Sequence, residues 1–409
     1  MKISAEDREV LRRLASRVAE LAARPIEEEK KQLWYRHNAL ETTRPVVFCD
    51  PENGWNEIIT GDQLECSGEV ARGWEMRLRK EIFWAESMGD DRVTLPYFSI
   101  GHVYQQSGWG MEPTIVDAGP GGAYRWDAPL ENLDDLSGLH HPTITVDYPA
   151  TQRRLELAES TLGDLLSVRL KTSWWWSMGL TRDLISLRGP QQMMFDMVDN
   201  PQAIHRLMAF LRDGYLAKLD FLEREGLLFL NNGGDYVGSG GFGWTTELPR
   251  QGFAGRVRCC DMWGFCESQE TASVSPAMFE EFVFQYQTPI LERFGLNCYG
   301  CCEPLDKRWR VVEKAPRLRR VSVSAWADVG DMAQKLGDRF IFSWKPNPSD
   351  LALGTFDEER IRAGLRRTME AARGCPLEVI MKDNHTIGND PQRVVRWVRI
   401  ALDEAERVA

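Results

Sequence analysis

The chain has 409 residues, enough to bury a full core without disulfide or metal staples, and its 43% hydrophobic and 27% charged residues are those of an ordinary globular protein. Its 50 basic residues against 61 acidic ones leave a net charge of −11 with no basic block, which argues against nucleic acid and anionic membranes as partners. The N-terminus carries no apolar signal core, no uncharged apolar run reaches the ~18 residues of a membrane span, and the nine cysteines lack a secreted-framework spacing, so a soluble, reducing, cytoplasmic setting is expected.

Residues 5–40 read as helical. Val10, Leu11, Leu14, Val18 and Leu21 recur at helical spacing, and Pro25 separates this helix from one over about 26–40. Residues 44–49 then read as a short strand. From about residue 90, strand-like runs alternate with helical patterns. Strands are expected at Val93–Ile100, Asp183–Leu187, Leu227–Asn231, Arg256–Cys260, Leu296–Tyr299, Arg320–Ser324, Phe340–Trp344 and Leu377–Met381. Helices are expected over 151–168, 200–225, 276–294, 357–373 and 391–407. Such alternation predicts an α/β fold with a parallel sheet. About eight strands in one continuous domain predict a single (β/α)8 TIM-type barrel over residues 44–409, with an N-terminal helical extension over 1–43. A doubly wound open sheet is the alternative. In a barrel, chemistry sits at the C-terminal strand ends, which selects the residues to inspect.

Two motif matches fail on context. Gly238-Ser-Gly240-Gly-Phe-Gly243 fits the dinucleotide fingerprint, but Trp244-Thr-Thr-Glu-Leu-Pro249 is a poor helix start, so a flexible active-site loop is expected instead. Asp383-Asn-His385-Thr-Ile-Gly388 has the form of a cobalamin-binding signature. Only 21 residues follow Gly388, too few for the rest of such a domain. There is no Walker A motif, no serine-hydrolase elbow and no early H-x-H metal pair.

Asn297-Cys-Tyr-Gly-Cys-Cys-Glu-Pro304 closes a predicted strand and gathers three thiols and a carboxylate within six residues. Thiolates and imidazoles suit zinc, and a catalytic zinc keeps an open position. Cys301, Cys302 and His385 are the candidate metal ligands; Cys298 reads as core, and small buried thiols remain the plain alternative. Glu303, Glu267 and Asp235 are candidate catalytic carboxylates near strand ends. His102, Tyr236, Trp263, Trp326, Trp344 and Lys345 are candidate substrate contacts. Asp261 and Asp328 read as ion-pair or capping residues.

The ordered segments resemble the uroporphyrinogen decarboxylase superfamily over roughly residues 180–400. Arg44-Pro-Val-Val looks like its early strand. Gly189-Pro190, Asp199-Asn-Pro201 and His205-Arg-Leu207 look like its G-P…D-P-x-x-x-H-x-L segment. Ser275-Pro276, Phe279, Glu281-Phe282 and Pro289 look like its S-P-x-x-F-x-E-F…P helix. The decarboxylase's M-R-Q-A-G-R loop is absent, so the cobalamin-dependent methyltransferase branch is the closer likeness. There Tyr299–Cys302 stands where H-x-C-G is carried, with Tyr299 in place of the His, and His385 stands near a final Cys ligand. The resemblance implies methyl transfer from a small methylated donor, an O-methyl compound being favoured and an aromatic one suited to the tryptophan-rich chain. It implies zinc as Lewis acid and a corrinoid protein as partner carrying the cobalamin. A metal-free decarboxylase or lyase, or a non-catalytic binding barrel, is the alternative; a homo-oligomer is left open.

Overall fold

The computed structural model describes residues 2–117 and 124–409. Helix α1 (Ala5–Ala22) starts where the Ser4 side chain accepts from the Asp7 N–H at 3.0 Å, and it buries Leu11, Leu14, Ala15, Val18 and Leu21. Pro25 opens α2 (Pro25–Asn38), because a helix's first residue needs no N–H partner. Both helices fall where the periodicity places them.

Eight parallel strands follow: β1 (Val46–Cys49), β2 (Tyr97–Ile100), β3 (Ser167–Leu170), β4 (Trp263–Cys266), β5 (Leu296–Tyr299), β6 (Leu318–Val323), β7 (Ile341–Trp344) and β8 (Leu377–Met381). Six form one sheet in the order β1-β8-β7-β6-β5-β4, while β2 pairs with β3 in a separate parallel ladder. No ladder among the described residues joins the two sets, so the hydrogen bonds define an α/β fold on a six-stranded parallel sheet. The strand order runs monotonically and the first strand lies beside the last.

Alternation along these strands divides their side chains between two faces. On one face Val47, Cys49, Tyr299, Val321, Phe342, Trp344 and Val379 join the main core. On the other, Trp263, Phe265 and Cys298 meet Val237 and Leu248, while Val46, Phe48 and Ile380 meet Phe242 and Trp244. This inner face also holds ions. Arg320 Nε and Nη2 donate to Glu378 at 2.9 and 3.1 Å, Arg320 reaches Asn38 Oδ1 at 2.7 Å, and His37 lies 3.1 Å from Glu378; all four residues are buried. Against the cost of burial, Arg320 and the His37 ring hold the Glu378 carboxyl far below the usual range.

Three expected strands are corrected. Asp183–Leu187 lies in a helix (Thr181–Arg188), because Leu180, Leu184 and Leu187 also have helical spacing and bury together. Leu227–Asn231 is extended but makes no ladder; the Asn231 amide occupies the strand edge, donating to Trp263 O and accepting from Trp263 N at 3.0 and 2.9 Å. Arg256–Cys260 gives way to a tight turn held by Arg258 and Asp261, and the ladder begins at Trp263. The helix expected over 151–168 runs from Tyr148 to Leu162, which frees β3 at its end. The Gly238–Gly243 loop is a small hairpin (Tyr236–Val237 with Gly241–Phe242) packed on the inner face, not a flexible loop. A Cβ on Gly238 would come within 2.7 Å of Cys298, on Gly240 within 2.7 Å of Ile380, and on Gly241 within 2.5 Å of Arg320. Close backbone approach to the sheet accounts for these glycines.

Candidate functional site

The segment after β3 and the hairpin strand beginning at Tyr236 enclose a cavity of about 250 Å³ over the inner face. Trp174–Trp176, Phe229, Tyr236, Trp263 and Phe265 wall it, and Lys171, Asn231 and Asp235 are its polar lining. Trp263 is fixed by donation from Nε1 to Gly243 O at 3.0 Å. Tyr236 turns its hydroxyl to Asp50 at 3.0 Å. Lys171 forms an ion pair with Asp235, and Arg169 stands 3.9 Å from the same carboxylate. Burial and Arg169 push Lys171 down to about 7, against which the Asp235 contact acts.

Glu267 comes two residues after the lining residue Phe265, just past the end of β4; it is not part of the lining. Trp176 lines the cavity, and the next residue, Ser177, donates to Glu267 Oε1 at 3.1 Å; Gln269 N donates to Oε2 at 2.9 Å. Glu267 is 1% exposed. Burial first, then the neighbouring Glu303 and Glu270 carboxylates, push it well above its ordinary value, which favours the protonated form. Glu303 accepts from Ser268 N, Ser268 Oγ and Cys301 N at 2.7, 3.1 and 2.9 Å, bracing the turn that carries Cys301.

Gly300, at φ 90°, turns the chain after β5 and presents the two cysteines. Their sulfurs are 3.5 Å apart; Cys301 is buried and Cys302 exposed. Ser239 Oγ lies 3.2 Å from Cys301 Sγ, and Asp383 Oδ2 lies 3.7 Å from Cys302 Sγ. The hydrogen bond from Cys302 and the charge of Lys382 lower Cys301, whereas contact with Cys301 and burial raise Cys302. Of the two thiols, Cys301 is therefore the one that loses its proton more readily. Burial opposes the Lys382 charge, but Cys301, Asp383 and Glu52 hold that ammonium above its ordinary value.

The residues expected to hold zinc are not gathered. His385 is exposed, and its ring contact is Asn53 at 3.5 Å. Among the described residues no three His, Cys, Asp or Glu side chains are grouped to hold a metal ion. As placed, the thiols and His385 do not fit a zinc centre, and Lys382 is the cation beside the thiols. Tyr299 points to the helix layer, donating to Gln287 at 2.6 Å.

Of the other expected residues, Asp235, Tyr236 and Trp263 meet at the cavity. His102 stands behind its wall, bonded to Thr172 Oγ1 at 2.8 Å. Lys345 is buried on the inner face against Ser343, and burial pushes it down to about 8. Trp344 packs on the helix side of the sheet, and Trp326 is 72% exposed. Asp328 caps a helix and Asp261 pairs with Arg258, as expected. The sequence reading missed Lys171, Trp174–Trp176, Ser239 and Lys382. Recognition of β3 would have exposed the first four, since they follow its C-terminal end.

No family profile matches the chain, and no curated protein matches it in sequence. Among solved structures, a methyltransferase from Methanosarcina mazei is similar in fold, with TM-score 0.51 over 91% of this chain and 97% of that one. Identity between the two is 10%, so the likeness is one of fold. No helix among the described residues is long and apolar enough to cross a membrane.

Proposed function

We propose that the protein is a methyltransferase that takes a methyl group from a small methylated donor, in the aromatic cavity, and passes it to a corrinoid carried by a partner protein. The observation that carries this reading is a ring-walled cavity whose lining residue Trp176 is followed by Ser177, the hydrogen-bond partner of the buried Glu267, a carboxyl raised by its burial. The fold likeness to a methyltransferase over nearly the whole chain supports it. So does the strand order of the six-stranded sheet, with β1 beside β8 and no reversal, which fits a barrel-like arrangement better than a doubly wound sheet.

The chain's own residues account for three tasks. Trp263, Phe265 and Trp176 hold a flat donor by ring contacts. The Phe265–Glu267 side of β4 aims a carboxylic acid at the donor's heteroatom. When the carbon–oxygen bond of a methyl ether breaks, its electron pair stays on oxygen and the Glu267 proton moves to that oxygen. The products are an alcohol, a Glu267 carboxylate and the methylated acceptor. A carboxyl whose burial favours its protonated form is suited to this step. Because the residues present do not form a zinc centre, no step is routed through a metal. Purified protein supplied with cob(I)alamin and a series of O-methyl and N-methyl donors tests the reading by the corrinoid's spectral change. Turnover of an ether supports it; release of carbon dioxide without methyl transfer would favour a decarboxylase of the same fold.

A further inference from the structure

The charges around the cavity do not cancel. Lys171 and Asp235 line it and pair with each other. Arg169, two residues back on β3, lies 3.9 Å from Asp235, donates from Nε to Ser99 Oγ at 3.1 Å, and stacks over the Tyr97 ring at 4.1 Å. Among the described residues no acid other than Asp235 is paired with either cation. Arg169, behind the lining, and Lys171, lowered to about 7, face one carboxylate, so the balance at this end is positive by a fraction of a charge at pH 7, and an arriving anion would hold Lys171 protonated. Phe229 lies under both cations, 5.3 Å from Arg169 and 5.7 Å from Lys171, and holds them at the wall. That charge is half-buried between rings, where screening is weaker than at an open surface.

We infer that the donor carries an anionic group, a carboxylate on a flat aromatic body, seated on Lys171 and Arg169 with its methyl end toward Glu267. The inference rests on the methyltransferase reading for the word donor, but the recognition it describes is a binding property. A carboxylate arriving at this end completes the charge balance that Asp235 leaves open. It also competes with Asp235 for Lys171, so the ligand is oriented by charge at one end and by rings along its length. A neutral ether gains only the rings. A cationic ligand meets a like charge, although the same rings attract it.

Quenching of tryptophan fluorescence in the whole protein is the assay, with three probes of similar size: 3-methoxybenzoate, methoxybenzene and trimethylanilinium. The expected order of affinity is carboxylate first, by about tenfold or more over the neutral ether, with the cation last. Lys171→Met should erase most of the carboxylate's advantage and leave methoxybenzene within about twofold, whereas Lys171→Arg should keep the order. Asp235→Asn should tighten the carboxylate and weaken the cation, and it serves as the second variant should Lys171→Met fail to fold. Equal binding of the acid and the neutral ether, or tighter binding of the cation, would overturn the inference. The two readings fail separately. Charge-ordered binding without methyl transfer would reject the proposed reaction alone, and equal transfer from acid and neutral ether would reject the anionic donor alone.

Discussion

Glu267→Gln separates the proton from everything else the side chain does. The glutamine is the same size, and it is neutral, like the protonated form of Glu267 that burial favours. Gln269 N–H keeps a carbonyl oxygen at the 2.9 Å position, and the amide NH2 then faces Ser177, whose hydroxyl rotates to accept. The cost of this exchange is one reorganised hydrogen bond, about 0.5–1.5 kcal/mol. Wild type carries a penalty the variant lacks. A carboxyl whose folded pKa is raised binds its proton more tightly in the native state, so stability is full below the unfolded value of ~4.3 and falls as pH rises toward the folded value. Across that window wild type loses about 1.4 kcal/mol per pH unit relative to the glutamine variant, the free energy of one proton per unit. Urea unfolding at pH 5, 6 and 7 reads this slope. Methyl transfer should fall by about 10²–10⁴ in the variant, the range for loss of a general acid. A stability difference that does not change with pH, or a rate within threefold of wild type, would refute the reasoning.

Glu378→Gln leaves Arg320 buried without a counter-charge and should cost about 3–5 kcal/mol in urea unfolding; a loss under 1 kcal/mol would mean that the inner ion network is solvated. Gly240→Ala places a methyl group 2.7 Å from Ile380 at φ 119° and should cost about 2 kcal/mol or more. Gly252→Ala, at φ 83° with open space around it, is the control that carries the backbone term alone, so equal losses would deny the packing of the hairpin. Asn231→Leu strips the Trp263 backbone of two partners and should destabilise by about 2–4 kcal/mol in the same assay, with a smaller loss expected only if water replaces the amide.

The sequence was most informative where one period dominates. Leu11 to Leu21 has only helical spacing, and Leu377–Met381 is a short run, apolar but for Glu378, bounded by Pro376 and Lys382; both fell in place. It misled where a short apolar run fits two periods, as at Asp183–Leu187, or where a side chain replaces a strand, as Asn231 does. β3 was hidden because the helical pattern reads on to 168, through Gly163, the residue that caps the helix, and so takes in the start of Ser167–Leu170. The candidate site was legible as a list of strand ends but not as a constellation. Asp235, Tyr236, Trp263 and Glu267 converge because the hairpin folds back over the inner face, a long-range event with no local signal. The glycines of that hairpin were visible, and their reason, contact with Cys298, Ile380 and Arg320, was not. Cys301 and Cys302 stood out by adjacency, while their cation, Lys382, comes from a strand end 80 residues on.

The most direct test of the central claim is methyl transfer from 3-methoxybenzoate to cob(I)alamin, followed spectrally with the purified protein and its Glu267→Gln variant side by side. The account predicts formation of methylcobalamin and the free phenol in equal amounts with wild type, and a rate at least about 100-fold lower with the variant. Absence of methylcobalamin with every methylated donor tried, in protein that binds those donors in its cavity, would contradict it.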